Sequence, residues 1–424
     1  MPTAERLYYK DSFLRSFTAV VTDVRELASS QGESLWQLAF DRTAFYPDSG
    51  GQPCDLGQIR ATSPGGVSLE IPVESVEEDE HGQVWHAVRK PLSIHTRIEG
   101  EIEWDRRLDH MQQHTGQHLL SAVFLRELNE PTVSFHLGES TSTIDLAGTP
   151  PAHHSLERIE RVVNELIAED RAVSVRYVSR AEAESMLASG ALRKLPDRSG
   201  EIRLIEINGI EDNACGGTHV RSTGQIGGML LRGTEKVSRG VRVEFVCGLR
   251  AVRTARVDAG ILARVTAALS VGAPEIPTAV ERLKAEARNG AKERMELREQ
   301  LADYHAARLA VEVPITGGLR LVDRNWKDRD ASYVRLLATR LTSAAPSTVA
   351  IFSSEEGGKV SLFFARSLDL GFDCGRILKE ALAQRGLRGG GSGDLAQGEV
   401  PTEQASALRS SLAESARSAA PKTL

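Results

Sequence analysis

Apolar and polar positions alternate through the first ninety-five residues. Phe17-Thr-Ala-Val-Val-Thr22, Leu35-Trp-Gln-Leu-Ala-Phe40, Gly57-Gln-Ile-Arg60, Val67-Ser-Leu-Glu-Ile71 and Val84-Trp-His-Ala-Val88 are short runs of strand-like composition. Polar or glycine-rich turns separate them, which predicts a small β-barrel or sandwich over residues 1–95. The period changes after Trp104. Leu119, Leu120, Val123 and Phe124 form the apolar stripe of a helix that runs to about Leu128 and ends at Asn129-Glu-Pro-Thr132. Strands over Thr132–His136 and Ser142–Leu146, a helix from Leu156 to Asp170, a strand over Val173–Val178, a helix from Ala181 to Ser189 and strands over Ile202–Ile207 and 224–246 follow. Together they make a two-layer α+β domain over 96–250.

From 251 the pattern is helical: Leu262 to Leu269, then Ile276 to Val311. Val280, Leu283, Ala287, Leu297, Leu301 and Tyr304 fall near heptad spacing, but Gly290 and Arg294 interrupt the seam, which predicts a helical spacer over 251–314 packed on a neighbour. Strands and helices alternate again over 315–424, as in a small α/β domain. Gly389-Gly-Gly-Ser-Gly393 has the composition of a flexible linker.

Composition narrows the class. A chain of 424 residues with 41% hydrophobic and 26% charged residues is that of a soluble protein of several domains. No apolar run approaches the roughly 18–20 residues of a membrane span, and the N-terminus lacks the layout of a signal peptide, so a cytoplasmic protein without membrane contact is expected. Cys54, Cys215, Cys247 and Cys374 lie too far apart for a disulfide framework. A net charge of −6 does not advertise a nucleic-acid partner. Basic residues do gather locally: Arg106 and Arg107, Arg193 and Lys194, then Arg232, Lys236, Arg239, Arg242, Arg250, Arg253 and Arg256. That distribution permits such a partner without requiring one.

The candidate chemistry sits on the first helix. His110, His114 and His118 recur at four-residue intervals and so share one face. Histidines on one face usually mark an ordinary packed or solvated helix. Here a second group follows about a hundred residues later, Cys215-Gly-Gly-Thr-His219, in which the glycines let the backbone bend so that Cys215 and His219 meet at one centre. Two imidazoles, a thiolate and a further imidazole suit zinc. The His pair lacks the intervening glutamate of H-E-x-x-H, which argues against a zinc peptidase.

Three passages, Ala44-Phe-Tyr-Pro-Asp-Ser-Gly-Gly-Gln52, His114-Thr-Gly-Gln-His118 and Cys215-Gly-Gly-Thr-His219, resemble those of the AlaX proteins. These are freestanding relatives of the alanyl-tRNA synthetase editing domain, and the likeness is to their long form. Gly389-Gly-Gly-Ser-Gly-Asp-Leu-Ala-Gln-Gly398 resembles the glycine-rich end of the synthetase's C-terminal domain, which implies a folded loop there. The resemblance assigns zinc to His114, His118, Cys215 and His219, leaves His110 beside the ligands, and turns the loop of Gly50, Gly51 and Gln52 towards the pocket. It implies a hydrolase acting in trans on tRNA(Ala) mischarged with serine or glycine, with a C-terminal part that serves tRNA binding or a homodimer.

Chemistry gives a reason for such an activity. A synthetase pocket sized for alanine rejects glycine weakly and serine poorly, whereas a site that hydrogen-bonds the seryl hydroxyl can spare alanine by about 10⁴-fold. Thr132 and Ser134 are the candidates for that contact, with Gln52 and Thr115 as further ones; His136 is a candidate pocket wall, and the backbone N–H groups of Gly216 and Gly217 are candidates to support an oxyanion. The alternative is a non-catalytic tRNA-binding or regulatory protein in which zinc only holds the fold.

Overall fold

Two consecutive strands form the two edges of the first sheet. In the computed structural model, which describes residues 4–27, 35–62, 66–196, 200–238, 240–327 and 329–420, seven antiparallel strands pair in the order Ser68–Val73, Gly57–Thr62, Arg97–Ile102, Ser16–Leu27, Leu35–Phe40, Val84–Val88 and Ser75–Glu78. The outermost strands, Ser68–Val73 and Ser75–Glu78, are joined through Glu74 alone, so the sheet curls until its edges meet. Its inward face is apolar: Val21, Leu38, Phe40, Phe45, Ile59, Ile71, Val84 and Ile98 are buried in one cluster. Ser75–Glu78 and Arg97–Ile102 are strands that alternation did not single out, because glutamates and a glycine dilute their apolar positions.

The chain divides into two compact units, 1–264 and 265–424. In the first, the helix Trp104–Leu128 is enclosed along its length. Every residue from His110 to Phe124 is buried, the polar face included. Gln113 is satisfied by neighbouring backbone: it donates to the Cys247 carbonyl at 3.0 Å and accepts from the Cys247 N–H at 2.9 Å, as a paired strand would. Gly116 permits this approach, since a Cβ there would lie 2.3 Å from Cys247 Sγ. Around the helix stand a four-stranded sheet ordered Thr132–Leu137, Ser142–Leu146, Gly240–Cys247, Met229–Val237 and a three-stranded sheet ordered Val173–Val178, Ile202–Ile207, Glu211–Ala214.

A buried ion pair fixes this helix to the curled sheet. Arg107 and Asp55 have no exposed side-chain surface. The Arg107 Nε lies 3.0 Å from both carboxylate oxygens, its Nη1 donates to the Ser12 carbonyl at 2.8 Å and its Nη2 to the Ala44 carbonyl at 2.5 Å. The Asp55 carboxylate also accepts from the Tyr46 N–H at 2.6 Å. The loop from Ala44 to Asp55 is thereby held against the helix start.

The helix Gly248–Leu269 begins earlier than expected and carries Arg250, Arg253 and Arg256, while Arg239 lies outside the described residues. In the second unit a five-stranded sheet runs Arg320–Lys327, Thr348–Glu356, Lys359–Arg366, Leu395–Pro401, Gly389–Gly391, the first pair parallel and the rest antiparallel. Ala302, Ala306 and Leu309 of the helix Ile276–Glu312 join Tyr333, Leu337 and Leu341 of Ala331–Ala344 in one core, and Leu378, Leu382, Leu408 and Leu412 of Cys374–Ala383 and Thr402–Ala419 join another. The glycine run forms a strand: a Cβ on Gly389 would lie 2.3 Å from Leu382 Cδ1 and one on Gly391 2.2 Å from the Leu395 carbonyl oxygen. Among the described residues no single helix is long and apolar enough to cross a membrane.

Arg107→Met strands Asp55 without its counter-charge, and a loss of about 3–5 kcal/mol is expected; a urea titration that moved by under about 1 kcal/mol would refute the anchoring role. A second outcome concerns His86, fully buried between Thr43 Oγ1 at 2.9 Å and the Leu38 carbonyl oxygen at 3.0 Å, where burial depresses its pKa to about 4. With the unfolded value near 6.5, the stabilising neutral form is complete above about pH 6.5 and its contribution, about 3 kcal/mol, is lost as pH falls towards the folded value. His86→Gln should flatten that part of the stability profile.

Candidate metal centre

The cluster is built from a helix face and a strand end. His114 and His118 are one turn apart on Trp104–Leu128, and Cys215 follows directly on the strand Glu211–Ala214. One donor atom from each of His114, His118, Cys215 and His219 lies within 4.8 Å of the others. Cys215 Sγ is 3.4 Å from His114 Nε2 and 3.3 Å from His219 Nε2. Ligand edges of roughly 3.5 Å follow from tetrahedral zinc with usual Zn–N and Zn–S bonds, so these spacings fit the ion.

Each imidazole is oriented through its other nitrogen. His114 Nδ1 lies 2.8 Å from Gln52 Oε1, which also accepts from the Thr218 N–H at 3.1 Å, while Gln52 Nε2 donates to Thr218 Oγ1 at 2.9 Å. His219 Nδ1 lies 3.1 Å from Thr115 Oγ1, itself an acceptor of the Val220 N–H at 3.2 Å. The Asn213 amide is 3.2 Å from His118 Nδ1, with the Glu211 carboxylate behind it at 3.9 Å. Gln52 Oε1 accepts from His114 Nδ1 and Thr115 Oγ1 accepts from His219 Nδ1, which leaves Nε2 of both rings free for a metal, whereas the Asn213 amide N–H donates to His118 Nδ1.

Electrostatics agree with a cation. Burial holds His114 and His219 well below the ordinary imidazole range and His118 at about 3, so all three keep their lone pairs at neutral pH. Burial pushes the Cys215 thiol up, and the Gly217 N–H, 3.3 Å from Sγ, opposes that only in part. A thiolate there calls for a positive partner. Glu211 is raised to about 7 by burial despite Arg193.

Among the other residues singled out from sequence, Gly50 and Gly51 take φ of 58° and 80° in a turn whose Gly51 carbonyl accepts from Leu137. A Cβ on Gly51 would meet Phe135 at 2.9 Å. Gln52 and Thr115 are fully buried and engaged with the imidazoles, so their polar atoms serve the cluster and not the cleft. Gly217 commits its N–H to the Cys215 sulfur. Thr132 donates to Ser121 Oγ at 2.8 Å, whereas Ser134 donates to Asp145 at 2.8 Å. His136 is exposed, two positions from Ser134 along the strand, and Phe135 between them is the residue whose ring lies 5.7 Å from His114. His110 is buried, its Nδ1 without a partner among the described residues, outside the cluster of four. Sequence reasoning did not single out Asn213, Thr218, Gln117, Ser121 or Arg203, since single polar residues on a strand or helix carry no periodic signal.

Two clefts meet at the cluster. One, about 560 Å³, is walled by Gln117, His118, Ser121, Thr132 and Phe135. The other, about 290 Å³, is walled by tyrosines, Arg203 and His114; both share Gly50 and the stretch from Ala214 to Gly216.

Comparisons with known proteins place these features in context. Residues 202–244 match the family described as threonyl and alanyl tRNA synthetase second additional domain, and residues 321–418 match the DHHA1 domain. The chain is 31% identical to the alanyl-tRNA editing protein AlaX-L of Pyrococcus horikoshii, over 93% of this chain and 94% of that one. It is 30% identical to the alanyl-tRNA editing protein Aarsd1 of Rattus norvegicus over 84% of this chain and 85% of that one. It is also 30% identical to an alanine–tRNA ligase of Methanobrevibacter smithii over 94% of its own length but only 44% of the ligase, so it spans less than half of that relative.

Gly217→Ala would push a Cβ to 2.1 Å from His114 Cε1, whereas a Cβ on Gly216 meets nothing nearer than Tyr9 Oη at 3.4 Å. The first substitution should abolish retention of added zinc and the second should not, by metal analysis after dialysis. Gln52→Ala should weaken zinc about ten- to hundredfold in a chelator competition, and unchanged affinity would contradict the orienting role.

Proposed function

The chain belongs to the AlaX family of alanyl-tRNA editing proteins, in its long form, and from that premise we propose that it deacylates tRNA(Ala) mischarged with serine, and with glycine, by zinc-assisted ester hydrolysis. The observation that carries this reading is the convergence of four ligand atoms where two clefts meet, one of them lined with hydroxyl and amide groups. The tRNA editing role follows from the family; the substrate and the chemistry are the proposal.

His114, His118, Cys215 and His219 would hold the ion. Once bound it supplies a Lewis acid for the ester at the meeting point of the clefts. The protein's own groups do the selecting. Gln117 donates to Ser121 Oγ at 2.9 Å, and its Oε1 is buried with no hydrogen-bond partner among the described residues. A seryl hydroxyl entering beside Thr132 and Ser121 can donate to that oxygen. An alanyl side chain leaves it unpaired, and such a gap separates substrates far more strongly than one methyl does. A glycyl group has no donor for that oxygen either, so this contact favours serine over both. Phe135 and the Gly50–Gly51 turn limit the space around the acyl group, and Gly51 has no side chain to fill it. With Gly217 engaged by Cys215, the Gly216 N–H is the backbone group left to assist a developing oxyanion.

Purified protein should strip serine from Ser-tRNA(Ala), spare Ala-tRNA(Ala), and lose both zinc and activity as Cys215→Ala. Gln117→Leu should keep zinc and lose about tenfold or more in kcat/KM for the seryl ester with little change for the glycyl one. Stoichiometric zinc with no ester hydrolysed would refute the proposal in favour of a structural metal in a tRNA-binding protein.

A further inference from the structure

The smaller cleft gathers four of the chain's six tyrosines, Tyr8, Tyr9, Tyr46 and Tyr177, against the wall that carries His114 and Cys215. Tyr8 packs edge-on to Tyr9 at 4.8 Å and to Tyr46 at 5.2 Å between centroids. Tyr177 is 48% exposed. The cleft also holds buried hydrogen-bonding atoms that find no partner among the described residues: Tyr8 Oη, and Nε and Nη2 of Arg203, in residues only 1% and 8% exposed. Arg203 is fixed by its other nitrogen, Nη1, which donates to the Cys215 carbonyl at 2.6 Å and to the Gly217 carbonyl at 3.1 Å. Its guanidinium carbon lies 5.3 Å from the Tyr9 ring centroid.

Leaving buried donors unpaired costs free energy, so these groups are poised for a ligand that accepts hydrogen bonds. Aromatic walls specify a flat ligand, because a base stacks on a tyrosine face whatever its sequence. The position specifies the rest. An aminoacyl ester joins a small acyl group to the ribose of a terminal nucleoside, and here a hydroxyl-lined cleft and a tyrosine-lined cleft adjoin the same metal-ligand stretch.

We infer that the tyrosine-lined cleft binds the RNA's 3′-terminal nucleoside, its base stacked against Tyr9 and Tyr177 and its acceptors met by the Nε–Nη2 edge of Arg203 and the Tyr8 hydroxyl. The assignment rests on the editing reading for its choice of ligand. It goes further in dividing the substrate: acyl group in one cleft, nucleoside in the other, ester between them.

The probe is adenosine carrying serine through a non-hydrolysable 3′-amide, titrated calorimetrically into the zinc-loaded full chain, beside the same amide on a ribose without its base. Tyr177→Ala should weaken the adenosine probe about ten- to hundredfold, Tyr177→Phe should restore it, and the baseless probe should bind weakly and be indifferent to either change. Tyr9→Leu should act in the same direction, with zinc content unchanged in every variant. Equal affinity for both probes, or affinity untouched by Tyr177→Ala and Tyr9→Leu, would overturn the subsite. Hydrolysis of Ser-tRNA(Ala) alongside such indifference would sink the subsite alone. Tyrosine-dependent binding by a protein that hydrolyses no ester would sink the editing reading and leave the subsite standing.

Discussion

Three imidazoles that must stay neutral, with one nitrogen turned to a common centre, set the constraint on which the first unit depends. Each needs a hydrogen-bond partner at Nδ1, and the three partners come from different parts of the chain. Gln52 belongs to the loop leaving the curled sheet, Thr115 to the helix itself and Asn213 to the three-stranded sheet. The cluster therefore exists only where sheet, helix and strand end are in register. Arg107 secures the first of these relations by clamping the loop through Asp55 and the Ala44 carbonyl. A buried pair of this kind contributes less to net stability than its contacts suggest, but it severely penalises any other arrangement. That is the property a ligand cluster needs.

Such geometry also accounts for how much of the site was legible beforehand. The ligands announce themselves because metal binding by a helix and a loop needs particular spacings, four residues in His114 and His118 and again in Cys215 and His219. Gln52 and Thr115 stood out too, but as contacts for substrate. A sequence cannot distinguish an amide that faces a cleft from one that faces an imidazole when both lie beside the same cluster of histidines. The glycines were read as a source of flexibility. Gly217 instead makes room, with His114 packed where a side chain would be.

The helix illustrates a related limit. Leu119, Leu120, Val123 and Phe124 mark its apolar stripe, and they are buried. Yet Gln112, Gln113 and Gln117 are buried as well, their amide N–H groups donating to the Gln225 carbonyl, the Cys247 carbonyl and Ser121 Oγ. Periodicity detects a face that water excludes, not one paired by hydrogen bonds with another element. The strand Arg97–Ile102 escaped notice for the complementary reason: its glutamates point outward and Gly100 makes room for Phe17, which would meet a Cβ at 2.4 Å. In the second unit Gly389 to Gly391 have a linker's composition but a packed role, since backbone and Leu382 come too close for any larger residue.

A net charge of −6 does not describe the charge at the clefts. At physiological ionic strength the field of distant surface charge is screened beyond about 8 Å, so only groups at the cleft matter. Arg193 and Lys194 wall the larger cleft, whereas Arg203 shares the smaller with Glu78 and Glu201. Arg193 is partly compensated by Glu211. Arg203 has no acidic partner within ion-pair distance among the described residues and keeps two nitrogens unpaired, while its remaining one holds the Cys215 and Gly217 carbonyls. One side chain therefore borders the tyrosine-lined cleft and also holds the loop that carries Cys215.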